Sequence, residues 1–515
     1  MTLPPGYVPL TVADGIRASM QRGPGRLALR EGERTLTYAQ LVERIDRVAN
    51  AVAAGLSLRP GEHAALMAPN CLEFVEVVCG SAAAGVAAAT VSPRSTLAEV
   101  EEICNDSEAR LLIVHPGLEE LARSAALTTV EEIIVLGDQY EHWLAQASTR
   151  PPSIRVDEWD ILCIPYTSGT TGRPKGVMLP HRSRAWTFFA MAVEFDCFGP
   201  DRRALTVTPL SYGAGFSFAV APLFFGGSTT LLPRFEPDLA LATVEQHAIT
   251  STFMVPTQFS ALFALGEREL ARYDSSSLRT IVSMAAPLSQ TAKERIVARF
   301  GEGLLFEAYG STEGGWISAI RPADQLRKQQ SVGHPLPCTN VRLVGEDGDP
   351  VPPGDIGELH VHSPFMFAGY WNRPAETADA FRDGWYVTGD LARQDDEGFL
   401  YLVDRRNDLI ISGGVNVFPR EVEEVLLRHD AVAEAAVFGI PDTHWGEAVH
   451  ATVALHAGMH ASEQELLDFC SVKLAGSKRP KTVDLTERLP RNAAGKISRR
   501  ELREPYWAGF ERRVH

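Results

Sequence analysis

The segment Tyr166-Thr167-Ser168-Gly169-Thr170-Thr171-Gly172-Arg173-Pro174-Lys175-Gly176 gathers hydroxyls, glycines and one lysine into a short run. Gly169 and Gly172 let the backbone bend so that amides and hydroxyls converge on phosphate oxygens, and Lys175 adds a positive charge. A polar surface turn needs no such set. The rival reading, a Walker A loop, fails on spacing: counting from Gly169, the position that must be glycine is Pro174. The flanks also differ. Ile161–Ile164 and Val177–Leu179 are apolar on both sides, which predicts strand–loop–strand instead of strand–loop–helix.

A loop of this kind must be held by a rigid frame. The chain has 515 residues, too many for one core, with 45% apolar and 22% charged residues, as in ordinary globular proteins. Its formal charge of −16 argues against nucleic acid or an anionic membrane as partner, so local basic groups must meet any polyanionic ligand. The seven cysteines are scattered without metal-ligand spacing, which fits reduced thiols in the cytoplasm. The first residues lack a basic patch followed by an apolar run, so no secretory signal is expected. The most apolar stretch, Val77 to Val91, follows Glu76 and reads as a buried core helix and turn, not a membrane span.

Over the first 400 or so residues, helical patterns alternate with short β-branched runs, the texture of an α/β domain. From Tyr38 a helix is expected with Leu41, Ile45, Val48, Ala49 and Val52 on one face. His63 to Met67, Leu111–Val114, Thr229–Leu232 and Thr280–Met284 read as strands. Around residues 340–403 the texture changes to short strands between Gly/Pro/Asp turns, a small β-rich subdomain. Pro419 then opens an amphipathic helix with Val422, Val425 and Leu426 inward and acids in its first turn. The expected fold is therefore α/β: a large N-terminal domain of stacked α/β subdomains plus the β-rich piece, then a small, mobile α+β domain. The boundary is placed at 404–408, giving domains 1–404 and 405–515.

With this Thr/Ser-rich loop, the chain resembles the adenylate-forming superfamily of acyl-CoA synthetases, peptide-synthetase adenylation domains and beetle luciferases. The resemblance runs from Thr37-Tyr38 to the Lys496 region, with several motifs in the same order. It implies ATP, Mg²⁺ and CoA as cofactors. It implies that Thr167 through Gly172 and Lys175 embrace the phosphates. Glu307-Ala308-Tyr309-Gly310-Ser311-Thr312-Glu313 resembles a second nucleotide motif, in which Tyr309 stacks on adenine, Thr312 contacts the α-phosphate and Glu313 holds Mg²⁺. Mg²⁺ bound to a nucleotide does take only one or two protein carboxylates. Ala285 and Ala286, in Ser283-Met284-Ala285-Ala286-Pro287, would line the adenine pocket. Asp390 and Arg405 resemble the pair that fixes the ribose: an Asp can accept from both hydroxyls of a cis-diol, and Arg donates in a rigid fork. Lys496, in Asn492-Ala493-Ala494-Gly495-Lys496, would bridge the acid's carboxylate and the α-phosphate.

Similarity to bacterial aryl- and acyl-CoA ligases implies that Trp445, Arg479 and Lys481 hold the CoA nucleotide, a basic cluster in an acidic chain. Gly413 and Gly414 would let the pantetheine arm pass close to backbone. The hinge is expected at Asn407, where the family usually has Asp or Lys. Ser477 stands where those ligases often have an aromatic residue, and Tyr212 where many acyl-CoA synthetases have His. By resemblance the acid would lie among Tyr212–Phe216, Phe253–Thr257 and Gly314–Ile317, with Tyr212, Gly213, Phe216, Gly314 and Gly315 as pocket residues. No acidic residue stands in Tyr212–Phe216 to meet an α-ammonium group, so a hydrophobic carboxylic acid is expected and not an amino acid. The rivals are a stand-alone adenylating enzyme that hands its adenylate to a carrier protein or second ligase, a binding-only relative, and a luciferase-type oxygenase. Lys496, Glu313 and Asp390 count against binding alone.

Overall fold

The computed structural model describes residues 6–54, 57–168, 173–491 and 497–508. Chain contacts divide it into one unit of Met1–Val341 with Val361–Tyr386 and another of Arg342–His360 with Val387–His515. The 404–408 segment, expected as the boundary, lies within the second unit.

In the first unit the helix Tyr38–Ala54 forms where its apolar spacing predicts, and Leu41, Ile45, Val48, Ala49 and Val52 are all buried. It packs on the helix Leu72–Ala83, every residue of which is buried. The Val77–Val91 stretch differs from expectation. The helix ends at Ala83 and, after a turn through Gly85, the chain runs on as the strand Ala87–Val91. An all-apolar Ala/Val run carries no periodicity to separate buried helix from buried strand, and pairing decides. Ala87–Val91 lies parallel between His63–Met67 and Ile161–Ser168. Ala109–Val114 and Glu132–Val135 extend this sheet on one side. On the other, Pro174–Pro180 and Gly369–Tyr370 add antiparallel strands.

The second sheet of this unit places the parallel strands Arg203–Thr206, Ser251–Met254, Thr280–Ser283 and Leu305–Ser311 side by side. All four point the same way, so the segments after them leave at one edge. Ligands of open parallel sheets bind outside that carboxyl edge. Tyr212–Phe216, Val255–Thr257, Met284–Pro287 and the Ser311–Gly314 turn are the segments that leave there.

In the second unit the strand Val432–Asp442 pairs along its length with Gly446–Leu455, flanked by Ile410–Ser412, Val415–Val417 and Thr482–Thr486. The helix Pro419–Leu426 buries Val422, Val425 and Leu426 against this sheet, with Glu421 in its first turn. The β-rich texture read around residues 340–403 corresponds to the strands Asn340–Val344 and Gly357–His362 and the hairpin Trp385–Gln394 with Leu400–Arg405. Among the described residues no helix is long and apolar enough to cross a membrane.

Candidate active site

Strand–loop–strand is what the Thr/Ser-rich segment forms: Ile161–Ser168 and Pro174–Pro180 pair antiparallel, with Thr167 opposite Lys175. Gly169, Thr170, Thr171 and Gly172 lie outside the described residues, as does Lys496. Ser168 enters the site here as a backbone position opposite Pro174. Lys175 is anchored on the hairpin's second strand. Its ammonium is ion-paired with Glu376 and lies 5.2 Å from the centre of the Tyr370 ring.

The strand Leu305–Ser311 carries Glu307, Ala308, Tyr309, Gly310 and Ser311. The next strand returns antiparallel with Tyr309 opposite Ser318 and Ser311 opposite Gly315. Thr312 and Glu313 therefore sit at the tip of a tight turn, closed where the Gly314 amide donates to Ser311 Oγ at 2.8 Å. Gly315 is the residue this turn demands. Its φ is +70°, and a Cβ there would lie 2.6 Å from Phe365 Cβ. The Glu307 carboxylate is taken up internally. It accepts from the Leu288 amide at 3.0 Å and pairs with the buried Lys293 at 2.5 Å, so the Glu307 side chain is committed within the protein. Ala285 and Ala286 follow the neighbouring strand, and Ala285 holds a φ of +77°, rare for a residue with a Cβ.

Glu313 meets Tyr370, whose hydroxyl donates to Glu313 Oε1 at 3.1 Å. Burial, with the Glu313 charge beside it, pushes the Tyr370 phenol up, so it stays a donor at neutral pH. Among the described residues no group of three or more His, Cys, Asp or Glu is gathered to hold a metal. A single half-buried carboxylate that shares one tyrosine with the Lys175 cation fits the way Mg²⁺ binds with a nucleotide, through one protein carboxylate plus phosphate and water.

The residues expected to line the acid pocket belong to the same unit. Tyr212 caps the helix Gly213–Phe225, and Phe216 is buried one turn in. Behind them Phe218 stacks on Phe253, with ring centres 5.0 Å apart, and Trp316 lies 5.7 Å from Phe218. These rings are buried in the core of the unit, and Trp316 follows Gly315 in the chain. Pairs of this kind add about 0.5–1.5 kcal/mol each beyond their burial.

The second unit carries the other residues. Asp390 lies directly opposite Arg405 in the hairpin register, with their side chains 3.4 Å apart. The sequence separation thus resolves into one cross-strand pair. Asn407 is exposed in the short turn Arg406–Asp408. On either side of it Arg406 reaches Glu358 at 2.9 Å, and Asp408 reaches Arg499 at 3.3 Å. Trp445, Lys481 and Gly413 come together: the Lys481 ammonium stands 5.0 Å from the Trp445 ring centre. The Gly413 amide donates to the Trp445 carbonyl at 2.8 Å. At Gly413, with φ +59°, a Cβ would lie 2.7 Å from the indole. Gly414 is left-handed too. Arg479 is partly committed elsewhere, its Nε donating to the Leu474 carbonyl at 2.9 Å.

Sequence reasoning passed over Tyr370, Glu376 and the buried Asp404. Asp404 accepts from the Arg405 and Arg420 amides at 2.7 and 2.9 Å. Burial pushes its carboxyl from an ordinary 3.8 up to about 6, against those amides and nearby Arg499. Folding therefore favours the protonated form. The stability it contributes is complete below the unfolded value and is lost as pH rises through the folded one. Asp404→Asn is expected to gain on the wild type, by about 1–3 kcal/mol, as pH rises from about 4 to 7. Denaturant midpoints across that range check it, and a difference that stays flat with pH would mean a solvated carboxylate.

The AMP-binding enzyme profile matches residues 16–371, and the AMP-binding enzyme C-terminal domain profile matches 421–496. The chain is 38% identical, over 94% of its length and 96% of the relative's, to a feruloyl-CoA synthase of an Amycolatopsis species. It superposes on ATP-bound MatB from Rhodopseudomonas palustris with a TM-score of 0.89 at 31% identity, covering 97% of this chain and 100% of that one. With o-succinylbenzoate CoA synthetase from Bacillus subtilis, holding its acyl-adenylate intermediate, the TM-score is 0.86 at 31% identity, covering 96% and 98%.

Proposed function

The chain belongs to the AMP-binding enzyme family, and from there we propose that it is an acyl-CoA synthetase for a hydrophobic, aromatic carboxylic acid. It uses ATP with Mg²⁺, then CoA. In the first half-reaction the acid's carboxylate attacks the α-phosphorus and pyrophosphate leaves. In the second the CoA thiol attacks the acyl carbonyl, AMP departs and the thiol proton is released. Glu313 would hold Mg²⁺, which when bound would supply neutralisation of phosphate charge. The chain's own part is to hold and align the substrates. Lys175 and the hydroxyls of Thr167, Ser168, Thr170 and Thr171 take the phosphates, and Gly169 and Gly172 leave the backbone free to bend toward them. Glu313 holds the ion, Thr312 meets the α-phosphate, Tyr309 stacks on adenine beside Ala285 and Ala286, and Asp390 with Arg405 fixes the ribose. Lys496 meets the charge that develops on the reacting oxygens, and the C-terminal segment turns about Asn407 between the two steps.

The observation that carries this reading is the convergence of Lys175 and Glu313 on one tyrosine. A cation and a carboxylate held that close supply the two groups that a metal–polyphosphate needs. For the acid, the apolar and small residues Gly213, Phe216, Gly314 and Gly315 suit a hydrophobic substrate. The similarity to a feruloyl-CoA synthase and to an o-succinylbenzoate CoA synthetase supports an aromatic one. Pyrophosphate exchange screened across cinnamic, benzoic, medium-chain and long-chain acids, with and without CoA, tests both parts. Aryl acids are expected to lead. Exchange strongest with long-chain acids would refute the substrate class, and exchange with none would refute adenylation.

Ser477 favours a second reading, in which the adenylate passes to a carrier protein or a partner ligase. Losing one stacked aromatic weakens binding by about 1 kcal/mol, a few-fold in affinity, so CoA remains the acceptor. Arg479→Ala is expected to raise KM for CoA several-fold and leave acyl-AMP formation intact. Wild-type protein that accumulates acyl-AMP and makes no thioester at millimolar CoA would establish the carrier route. The free state of all seven cysteines agrees with a cytoplasmic setting.

A further inference from the structure

The segment Gly369–Asp379 supplies no group to the reaction described above, yet it touches two of the groups that do. Gly369 and Tyr370 pair antiparallel with Met178 and Val177, and the Trp371 amide donates to the Gly176 carbonyl at 2.9 Å. Tyr370 is thus directly across from Val177 and shares a face with Lys175, two residues back, so its ring is diagonal to the lysine. The segment itself is pinned. Thr377 Oγ1 accepts from the Tyr370 amide at 2.9 Å, and Arg373 donates to Asp106 Oδ1 at 2.7 Å. Asp106 Oδ2 in turn accepts from Tyr166, on the strand leading into the Thr/Ser-rich loop, at 2.8 Å. The Trp371 indole donates to the Asp106 carbonyl at 2.9 Å.

We propose that Tyr370 is a positioning residue for the metal–nucleotide: its hydroxyl aims Glu313 at the divalent ion, and its ring face holds Lys175 beside the phosphates. One of the four lone-pair positions of the Glu313 carboxylate is spent on Tyr370, which fixes the rotation of the group and leaves its other oxygen for a cation. Glu376 plays a separate part. It pairs with Lys175, so it keeps the ammonium on the ring until a polyphosphate takes its place.

This inference rests on the ATP-dependent reading of the site, and the test separates the two. The full chain is titrated with Mn²⁺ in the presence of ATP, and bound ion is read by electron paramagnetic resonance. Tyr370→Phe, which keeps the ring, is expected to weaken Mn²⁺ binding by about ten-fold, the scale for one hydrogen bond to a charged group. The Mg²⁺ concentration for half-maximal acyl-AMP formation should rise by the same factor, and thioester formation from supplied acyl-AMP should be unchanged. Glu376→Gln is expected to alter KM for ATP and leave Mn²⁺ affinity as it was. Unchanged Mn²⁺ affinity in Tyr370→Phe would overturn the proposal. So would an equal loss in both variants, which would mean a general loosening of the segment. A wild type with no acid-dependent pyrophosphate exchange would refute the adenylation reading instead.

Discussion

Lys496→Ala is expected to slow acyl-AMP formation by roughly 10²-fold or more, the scale for losing one preorganised charge contact in a transition state. The reason lies in where charge grows. As the carboxylate oxygen closes on phosphorus and pyrophosphate separates, negative charge builds on oxygens that no group of the first unit besides Lys175 is proposed to meet with a full cation. Lys496 is given that work in the first half-reaction only. Thioester formation from supplied acyl-adenylate is therefore expected to stay within a few-fold of wild type, because the attacking thiol needs no second cation at phosphorus. Measuring the half-reactions separately, by pyrophosphate exchange and by thioester release from synthetic adenylate, decides it. Equal losses in both would mean that the lysine serves the whole cycle.

The second large effect concerns Asn407. Its neighbours are tethered, Arg406 to Glu358 and Asp408 to Arg499, and Asn407 is exposed between them. A backbone rotation localised at one residue needs just such an unencumbered position between fixed flanks. Asn407→Pro would lock φ near −65° and push Arg406 away from helical geometry. Pyrophosphate exchange is expected to fall by less than about ten-fold. Overall thioester synthesis should drop by roughly 10²-fold, the scale on which small misplacements of reacting groups act. If the two rates fall together, or neither falls, the pivot is elsewhere.

Much of the site was legible because it is written locally. The strand–loop–strand around Lys175 follows from apolar flanks on both sides of a polar loop, and the Tyr38–Ala54 helix from its spacing. The Ser311–Gly314 turn keeps Thr312 and Glu313 together because they are neighbours in the chain. Even Asp390 and Arg405, fifteen positions apart by their numbers, come together through one hairpin, a short-range device.

What the sequence did not yield has one physical cause. Tyr370 reaches Lys175 and Glu313 because a two-residue strand, some two hundred positions beyond the Thr/Ser-rich loop, pairs with the hairpin in one register. A slip of one residue would turn its ring to the other face. No local periodicity encodes that register, which is set by side chains packing along both strands. The end of the Val77–Val91 run as a strand was decided in the same way, by the partners on either side of it. So was the value of the Asp404 carboxyl, because burial is a property of what folds over a residue. Residue types and spacing therefore singled out the groups proposed to do the chemistry, while the tertiary structure alone decided which others touch them, since those contacts depend on strand register and burial, not on distance along the chain.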